Sequence, residues 1–549
     1  MNREHIAELL FPNISVTPSE LETRYPPREL PDGAVVTRMA PSPTGFVHLG
    51  NLVQGLTAER MARQSGGVLF LRIEDTDAKR EVSGAVPILI DSLSHYGIVF
   101  DEGATADGES GAYGPYRQRA RADIYHVYAK WLVQQGMAYP CFCTEEELAA
   151  IHERQQTEKS NFGYFGKWAV WRDRPTEDIE AELNLGKPWV LRFRSEGSIE
   201  NKIPFVDLIK GKLELTENNI DHVLLKSDGI PTYHFAHAVD DHLMRTTHVV
   251  RGDEWLSSLP FHLQLFRALG FKPPKYLHIG PLMKMDGTSK RKLSKRKDPE
   301  LALTYYRQEG FPTESVYEYL MTVLNSNFED WRRANPDADI GDFRFSYKKM
   351  NPAGSLFDYA KFTDVSRNVI AHMSADEVYD RFTEWAREYD PPLGDAFASD
   401  PAAGRAIFSI GRGGKKPRKD ISRWSDVRDY SGFFFDDFFK IRDEYPDKFS
   451  RADIISVLEL FAEKYDPEDS QEIWFGKIKE IADALGFASD MKAYRENPDA
   501  YKGSVADVSM FIRVALTGSV NSPDMYEVMN ILGRDRSVRR IKDMAESLK

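Results

Sequence analysis

The sequence predicts an α/β protein: a parallel, doubly wound sheet domain that an inserted α+β segment interrupts, followed by a mainly α-helical C-terminal half. Strand and helix patterns alternate from Val35 onward, which is typical of parallel sheets with helical crossovers. Residues 140–225 break this alternation with charged and irregular stretches. After about Pro299, strand patterns largely disappear, and helical, acidic and aromatic stretches continue to the end.

The first half of the sheet domain follows from the order of its patterns. The β-branched run from Val35 to Thr37 predicts a strand, and the apolar spacing over 51–64 predicts a helix that Gly66 and Gly67 end. The run VLFLRIE predicts a second strand. GAVPILIDSLSHYG and RADIYHVYAKWLVQQG predict two further amphipathic helices.

The strand–helix pattern returns after the interruption. DHVLLKSDGIPTYHFAHAVDD and THVVRG predict a strand, a helix and another strand, and EWLSSLPFHLQLFRALG predicts a helix that ends at Gly270. We therefore expect six segments along the chain. They are an N-terminal extension (1–33), the first half of the sheet domain (34–139), an inserted domain (140–225), the second half of the sheet domain (226–299) and two helical regions (300–400 and 401–549).

Composition indicates a large soluble protein. The chain has 549 residues, of which 42% are hydrophobic, enough for several cores. Its two cysteines, Cys141 and Cys143, are too few for a secreted disulfide framework. No apolar run reaches the roughly 18 residues of a membrane helix, and the N-terminus lacks a signal peptide's apolar core, so we expect a cytoplasmic location. At a net charge of −13, any nucleic-acid surface must be a local patch.

The stretch RMAPSPTGFVHLGN joins the first predicted strand to the first helix and has the composition of an anion site. Unpaired backbone N–H groups and the helix dipole favour phosphate at a helix N-terminus. The turn lacks the glycine pattern of dinucleotide-binding folds and the lysine of P-loops. It offers His48 instead, with Gly50 for close approach of the backbone. A single histidine in such a turn more often has a structural role, so this stretch alone does not indicate a function.

A second candidate is the basic stretch KMDGTSKRKLSKRK, from Lys284 to Lys297. Seven lysines and arginines accompany one aspartate, and Gly287 lies in an expected turn. Most such runs are solvated surface. In an acidic chain, however, a flexible loop with this much positive charge also suits a polyanionic ligand, because lysines reach phosphates as point charges.

Together the two stretches resemble the signature pair of class I aminoacyl-tRNA synthetases. HLGN at 48–51 is similar to their HIGH motif, with asparagine in place of the second histidine, and KLSKR at 292–296 is similar to KMSKS. TRMAPSPTGFVHLGN, LRIEDTD, GPYRQ, KSDGIPTYHFAHAVDDH and VVRGDEWLSS resemble the glutamyl-tRNA synthetases in order and spacing. YLHIGPL at 276–282 matches the first three letters of HIGH more closely. Pro281 and the position of this stretch before the lysines indicate instead a strand that leads into the basic stretch.

The resemblance implies a class I Rossmann-like catalytic domain that attaches glutamate to tRNA in two steps. Glutamate and ATP would form glutamyl-adenylate and pyrophosphate, and the terminal adenosine of tRNA-Glu would take the acyl group on its 2′-OH. No protein nucleophile is needed, so catalysis rests on positioning and charge stabilisation. Mg²⁺ is expected to accompany ATP. The implied catalytic residues are His48, Lys292 and Lys295, and the implied ATP-binding residues are His48, Gly50, Asn51, Lys292 and Lys295.

The resemblance also implies a glutamate pocket. Glu74 suits the ammonium group, and the planar guanidinium groups of Arg38 and Arg251 suit the two carboxylates. The sequence leaves open which arginine binds which carboxylate. His237 stands where relatives often have an amide side chain. The implied glutamate-binding residues are Arg38, Ser42, Glu74, Tyr233, His237 and Arg251.

Many relatives bind zinc where this chain has Cys141 and Cys143. Their further ligands come from a downstream tyrosine or histidine and a cysteine. Here that stretch reads YFGKWAV, with Trp168 in the place of the cysteine. Because a structural zinc site needs four ligands, we expect no zinc.

The loop GRGGKKPRKDISR, at 411–423, is the candidate tRNA contact of the C-terminal half. Six basic residues accompany one aspartate, and a solvated loop explains them equally well. By the resemblance, 140–225 would bind the tRNA acceptor end, 300–400 its stem and 401–549 its anticodon. The candidate contacts to tRNA are Lys415, Lys416, Arg418 and Lys419.

The favoured interpretation is a monomeric enzyme with tRNA-Glu, L-glutamate and ATP as partners and no membrane, and it has several alternatives. A glutaminyl-tRNA synthetase usually has Pro-Glu-Pro-Asn-Gly where this chain has PSPTG. A truncated paralogue that modifies a tRNA base would lack the helical half. A non-catalytic tRNA-binding relative would need neither signature stretch. The sequence leaves open whether tRNA-Gln is also charged.

Overall fold

The computed structural model describes residues 2–77 and 82–549. The chain divides into two compact units: residues 1–305 with 320–358, and residues 306–319 with 359–549. None of the described helices is both long enough and apolar enough to cross a membrane.

The described strands all lie in the first unit. They are β1 (Val36–Met39), β2 (Val68–Leu71), β3 (Glu102–Ala104), β4 (Glu109–Ser110), β5 (Ala138–Cys141), β6 (Val190–Phe193), β7 (Lys202–Asp207), β8 (Gly211–Thr216), β9 (Val223–Leu225), β10 (His248–Gly252), β11 (Lys275–Ile279), β12 (Leu282–Asp286), β13 (Ser289–Lys292) and β14 (Ser355–Leu356).

Helices occur throughout both units. Up to residue 358 they are α1 (Arg3–Leu10), α2 (Pro18–Arg24), α3 (Leu49–Ser65), α4 (Ala85–Ser94), α5 (Ala122–Gln134), α6 (Glu145–Thr157), α7 (Thr176–Asn184), α8 (Tyr233–Leu243), α9 (Leu259–Ala268), α10 (Leu303–Glu309), α11 (Thr313–Leu324) and α12 (Phe328–Ala334). Beyond it they are α13 (Tyr359–His372), α14 (Ala375–Tyr389), α15 (Pro391–Ser399), α16 (Pro401–Ser409), α17 (Val427–Ser431), α18 (Arg451–Lys464), α19 (Gln471–Ala484), α20 (Met491–Glu496), α21 (Val505–Thr517), α22 (Met525–Leu532) and α23 (Arg534–Ser547).

A parallel sheet lies at the centre of the first unit, which confirms the predicted fold class. Strands β1, β2 and β3 pair in parallel, and so do β10 and β11. The Thr247 N–H donates to the Val36 carbonyl at 3.0 Å, which places β10 beside β1. All four residues of β1 are buried, as expected for a central strand with both faces covered.

Helix α3 packs closely against this sheet because Gly55 has no side chain. A Cβ there would lie 2.6 Å from Ile98 Cδ1 and 2.9 Å from Met39 Sδ. The carboxyl ends of β1, β2 and β10 lie at one edge of the sheet. Ligands of open α/β sheets bind at this edge.

The inserted segment forms small antiparallel sheets. Strand β6 pairs with β5 and β9, and β7 pairs with β8 in a hairpin. The Leu208 N–H next to this hairpin's turn donates to the Tyr276 carbonyl at 2.9 Å, which joins the insertion to β11. The insertion is thus anchored beside the second half of the parallel sheet.

The N-terminal extension contributes to the core of the first unit. Helices α1 and α2 lie against α5. They bury Ile6, Leu10 and Leu21, and Tyr25 follows them with 1% exposure. The Tyr25 hydroxyl donates to the Gly114 carbonyl at 2.8 Å, which fixes the extension to the loop before α5.

Two elements differ from their sequence-based description. Residues 284–292 of the basic stretch form an antiparallel hairpin of β12 and β13 rather than a loop, because Gly287 takes the left-handed φ of +60° that the tight turn needs. Residues 293–297 lie outside the strands, as predicted. The helix predicted from Glu254 begins as a 3₁₀ turn, Asp253–Ser258, and becomes α-helical only at Leu259. Pro260 lies at the first turn of α9, the helical position that tolerates proline.

The second unit is helical around an aromatic core. Phe382, Phe397 and Phe408 come together from α14, α15 and α16, and their ring centroids lie 5.0–5.8 Å apart. Helices α18, α19, α21 and α23 contribute to the same core. The loop 411–423 leaves this core between α16 and α17.

Candidate active site

His48 is the N-cap of α3, and its own side chain forms the cap. Its Nδ1 accepts the Asn51 N–H at 3.2 Å, while Asn51 Oδ1 accepts the His48 N–H at 3.0 Å. Burial and the nearby charge of Lys292 lower the pKa of His48. A neutral ring whose Nδ1 accepts must carry its proton on Nε2. His48 therefore presents an Nε2–H donor at the N-terminus of a helix.

Gly50 makes room for that ring. A Cβ at residue 50 would lie 2.9 Å from both Cε1 and Nδ1 of His48. Any side chain would push the imidazole off the helix N-terminus. Within the free protein, then, the reason for glycine is the histidine ring rather than the approach of a ligand to the backbone.

Asp298 organises the lysine stretch. It accepts both terminal nitrogens of Arg291, at 2.6 and 2.8 Å, and the Ser294 N–H at 2.8 Å. These contacts hold the pKa of Asp298 well below its usual range, with the Arg291 hydrogen bonds as the largest cause. Lys284 is paired with Glu300. Arg291 and Lys284 are therefore structural cations that shape the segment.

Lys292 and Lys295 are exposed and form no ion pair with any described residue. The Lys295 ammonium lies 4.0 Å from the centre of the Phe46 ring, within the turn that precedes His48. The Leu303 N–H donates to the Val47 carbonyl at 3.2 Å and draws the segment toward the same turn. The structure thus brings the two signature stretches together, with their free positive charge beside the helix N-terminus.

Arg38 is buried at the end of β1 and already has a carboxylate partner. Its Nε donates to Asp241 Oδ1 at 3.1 Å, and Arg72 Nη1 donates to the same oxygen at 2.7 Å. Arg72 also reaches Glu74 at 3.4 Å. Arg72 Nε also lies 3.7 Å from Asp240, whose other oxygen accepts Arg121 Nε at 2.6 Å. Three guanidinium groups and three carboxylates therefore form one network near the carboxyl ends of β1 and β2. Its charges balance.

Glu74 is the least favourably placed anion of this network. Burial raises its pKa to about 7, and the charges of Arg72 and Arg38 only partly oppose this. Its backbone N–H donates to the Pro41 carbonyl at 3.0 Å, which places Glu74 beside Ser42 in the turn. A buried carboxylate with a raised pKa gains stability when a ligand cation arrives.

Arg251 is buried at the end of β10 among neutral acceptors. Its Nε donates to His278 Nε2 at 3.0 Å, and its Nη1 lies 3.3 Å from the Tyr233 hydroxyl and 3.2 Å from His262 Nδ1. Its Nη2 is buried without a hydrogen-bond partner. Arg251 makes no ion pair anywhere in residues 2–77 and 82–549, so no carboxylate of these residues balances its charge.

Tyr233 and His237 complete the wall between the two arginines. Tyr233 packs against Trp255 with 4.2 Å between ring centroids and a tilt of 41°, and its ring lies nearly parallel to that of His237. His237 Nδ1 lies 2.5 Å from Asp241 Oδ2, and its Nε2 lies 2.9 Å from the Tyr276 hydroxyl. His237 is 0% exposed, and its ring packs against those of Tyr233 and His262, so it supports the wall from behind rather than facing a ligand.

The Cys141 and Cys143 sulfurs lie 3.4 and 3.5 Å from the Tyr164 hydroxyl oxygen. That oxygen also accepts the Trp171 N–H at 3.0 Å. Trp168 is buried beside them with 4% exposure. Two sulfurs and one phenol oxygen are one ligand short of a structural zinc site. The described residues hold no group of three or more histidine, cysteine or acidic side chains placed to bind a metal.

The candidate tRNA loop of the second unit divides into paired and free cations. Arg418 Nε and Nη2 donate to Asp420 at 2.6 and 3.1 Å. Lys415, Lys416 and Lys419 are exposed and have no ion-pair partner in the described part of the chain. The loop borders a cavity of about 550 Å³ that Arg418 lines.

The sequence-based set omitted the carboxylates that hold the arginines. Asp241 supports Arg38, and Asp207 contacts His278, the neighbour of Arg251. Asp241 lies within the stretch KSDGIPTYHFAHAVDDH, which marked its neighbourhood without marking its role. His278 stood out in the sequence only as the first letter of a misleading HIG.

Comparison with known families matches both halves of the chain. Residues 34–329 match the family model described as tRNA synthetases class I (E and Q), catalytic domain. Residues 417–545 match the model described as anticodon binding domain.

Full-length relatives and solved structures agree with these matches. A glutamate–tRNA ligase of Acetivibrio thermocellus is 50% identical and one of Clostridium perfringens (strain 13) is 47% identical; the alignments cover 99% and 98% of this chain and 100% of each relative. A crystal structure of a glutamate tRNA ligase from Elizabethkingia meningosepticum in complex with its amino acid superposes with a TM-score of 0.76 at 27% identity, covering 94% of this chain and 100% of that one.

Proposed function

The chain belongs to the class I tRNA synthetases of the glutamate and glutamine branch, and we propose that it ligates L-glutamate to tRNA-Glu through the pocket and helix N-terminus described above. The family model spans more than half of the chain, and the full-length relatives carry the name of this activity. The observation that supports the substrate is the unpaired charge of buried Arg251. Such a charge requires a carboxylate at this position of the pocket.

The difference between the two arginines assigns the two carboxylates of glutamate. The α-carboxylate is the nucleophile, so a fully unbalanced guanidinium beside it would lower the nucleophilicity of its oxygen and slow the attack. Arg38, whose charge Asp241 already balances, suits this reacting group. The γ-carboxylate stays charged throughout, and Arg251 suits it. Glu74 takes the ammonium, Ser42 and Tyr233 offer hydroxyl groups, and His237 packs behind Tyr233.

The signature stretches then stabilise the charge that develops at phosphorus. The α-carboxylate oxygen attacks the α-phosphorus of ATP, and the bond to the pyrophosphate oxygen breaks. The His48 Nε2–H, the N-terminus of α3 near Gly50 and Asn51, and the ammonium groups of Lys292 and Lys295 supply donors and positive charge there. In the second step the ribose 2′-OH attacks the acyl carbon and AMP leaves.

Further assignments belong to the same proposal. Mg²⁺ accompanies ATP and is held mainly by its phosphates, as Mg²⁺ in nucleotide sites usually is. Zinc is not part of the protein, since Trp168 supplies no fourth ligand. The enzyme acts as a cytoplasmic monomer. Its tRNA lies along the inserted domain, the 300–400 region and the 401–549 region, with Lys415, Lys416 and Lys419 at phosphates.

We expect tRNA-dependent pyrophosphate exchange with glutamate and far weaker exchange with glutamine. Arg251→Gln should collapse glutamate activation and narrow the glutamate-to-glutamine ratio of kcat/KM, which a site with a buried charge can hold at about 10⁴–10⁵. Arg38→Gln should lower activity with both amino acids and leave the ratio nearly unchanged. An unchanged glutamate-to-glutamine ratio in Arg251→Gln would show that Arg251 is not the discriminating residue. If the enzyme supported exchange with no amino acid, the functional proposal would be wrong.

His48 and Lys295 should each contribute to kcat as single charge-stabilising donors. His48→Asn keeps an N-cap oxygen for α3 but loses the Nε2–H, so helix stability is largely preserved. This variant and Lys295→Ala should lower kcat by about 10²–10³, with a smaller change in the KM for glutamate. Lys290→Ala, which removes an unassigned cation of the same hairpin, is the matched control. Near-normal kcat in either variant would remove that residue from the catalytic set.

The raised pKa of Glu74 predicts a pH dependence of glutamate binding. Only the ionised carboxylate accepts the ammonium, and in the free enzyme it is progressively protonated as the pH falls through about 7. We expect kcat/KM for glutamate to fall about tenfold per pH unit below that point. The kcat should fall less, because bound ammonium keeps Glu74 ionised. Glu74→Gln should give a low kcat/KM without this break; an identical break in the variant would assign the titration to another group.

The free lysines of the 411–423 loop should make the salt-dependent interactions with tRNA. In a triple variant with Lys415→Ala, Lys416→Ala and Lys419→Ala, the slope of log K against log[salt] should fall by about 0.7–0.9 for each phosphate that a lysine neutralises. Arg418→Ala is the comparison within the loop and should change the slope less, since Asp420 already neutralises it. A slope unaltered by the triple substitution would make this a solvated loop.

A further inference from the structure

We propose that Asp207 is a positioning residue for glutamate recognition, which acts on Arg251 through His278. The proposal rests on the assignment of Arg251 to the γ-carboxylate given above. It extends the discriminating machinery from the sheet edge into the inserted domain, since Asp207 is the last residue of β7.

The three side chains form a continuous buried chain of hydrogen bonds. His278 Nδ1 lies 2.7 Å from Asp207 Oδ2, and Arg251 Nε lies 3.0 Å from His278 Nε2. Arg251 and His278 are direct partners in the register of β10 and β11. Asp207, His278 and Arg251 are 1%, 0% and 4% exposed. The arrangement is therefore shielded from water along its whole length.

This chain determines which imidazole nitrogen carries the proton. A carboxylate can only accept, so His278 must donate from Nδ1. A neutral imidazole that donates from Nδ1 has a lone pair on Nε2, which is what the Arg251 Nε–H requires. Burial lowers the pKa of His278 more than the Asp207 hydrogen bond raises it, in agreement with a neutral ring.

These contacts fix the orientation of the Arg251 guanidinium group. His278 holds its Nε edge, and Tyr233 and His262 hold Nη1. Only Nη2 is left without a partner in the described structure, and it is the donor that remains for a ligand. If His278 changed tautomer, it would present an N–H to the Arg251 Nε–H, and the guanidinium would lose the support that directs Nη2.

Asp207 has a second task that makes an informative substitution possible. Its Oδ1 accepts the N–H groups of Ile209 and Lys210, at 2.9 and 2.8 Å, in the turn between β7 and β8. An asparagine can satisfy the turn with its oxygen, but its NH₂ then faces Nδ1 and the backbone N–H of His278, which lie 2.7 and 3.2 Å from Asp207 Oδ2. Asp207→Asn therefore keeps the hairpin and favours the wrong tautomer of His278.

The test measures tRNA-dependent pyrophosphate exchange with glutamate and glutamine in the full-length enzyme. We expect Asp207→Asn to raise the KM for glutamate and to lower the glutamate-to-glutamine ratio of kcat/KM by about 10- to 100-fold, the usual cost when a partner that orients a binding residue is removed. The kcat should change much less. Asp221→Asn is the matched control: Asp221 is a fully buried carboxylate of the same insertion whose partners are the Tyr139 hydroxyl, the Ser195 N–H and, at 3.6 Å, Arg172.

A double substitution separates positioning from general destabilisation. In His278→Gln the amide oxygen can still accept the Arg251 Nε–H, but no imidazole proton links it to Asp207. Adding Asp207→Asn to His278→Gln should therefore leave the ratio where His278→Gln alone puts it. Additive effects, a normal ratio in Asp207→Asn, or an equal loss of ratio in Asp221→Asn would each overturn the proposal.

Failure of this inference is distinguishable from failure of the assignment of Arg251. If Arg251→Gln narrows the ratio and Asp207→Asn does not, Arg251 remains the discriminator and Asp207 serves only the β7–β8 turn. If Arg251→Gln itself leaves the ratio unchanged, the assignment on which this inference rests is wrong.

Discussion

The carboxylate of Asp241 is the interaction on which the pocket depends. It is buried, and it receives Arg38, Arg72 and His237 from three different elements. Burial opposes its ionisation, but the two guanidinium charges outweigh burial and hold its pKa well below the usual range. Removal of a carboxylate in such a network leaves buried charges unpaired, which typically costs about 3–5 kcal/mol. The ends of β1 and β2 and helix α8 are therefore held in one arrangement by charge as well as by packing.

Local patterns were sufficient for most of the fold. The order of strands and helices around 35–140 and 226–299 could be predicted because each element carries its own periodicity and its own end signals, such as Gly66 after α3. The predicted fold class is confirmed, and the family, which was inferred from the resemblance of the two signature stretches, is confirmed by the family match. The lysine hairpin was mistaken for a loop because its second strand, β13, carries charged side chains on both faces and shows no apolar alternation. The later start of α9 also has a local cause, because Pro260 lies in the first turn of that helix.

The supporting residues of the site could not be found in this way. Arg38 and Asp241 are 203 residues apart in the chain, and Asp207 and His278 are 71 apart. Periodicity and capping act over a few residues, so they contain no information about such pairs. The chemical character of the individual side chains, together with the family resemblance, was sufficient to suggest Arg38, Glu74 and Arg251 as residues that bind glutamate. Only the folded arrangement distinguishes the arginine that is already neutralised from the one that is not, and the proposed specificity rests on that distinction.

The pocket therefore consists of two halves with different electrostatic tasks. At Arg38 and Glu74 the charges of the protein nearly cancel before a substrate binds. At Arg251 the charge lies among neutral acceptors, and in the proposed complex a bound carboxylate offsets its desolvation. An amide of the same shape offers no such compensation. On the proposed assignment, discrimination arises from the protein's own unbalanced charge rather than from the shape of the pocket. A rigid support for Arg251 is then needed, because a mobile guanidinium could turn toward another acceptor and the selectivity would be lost.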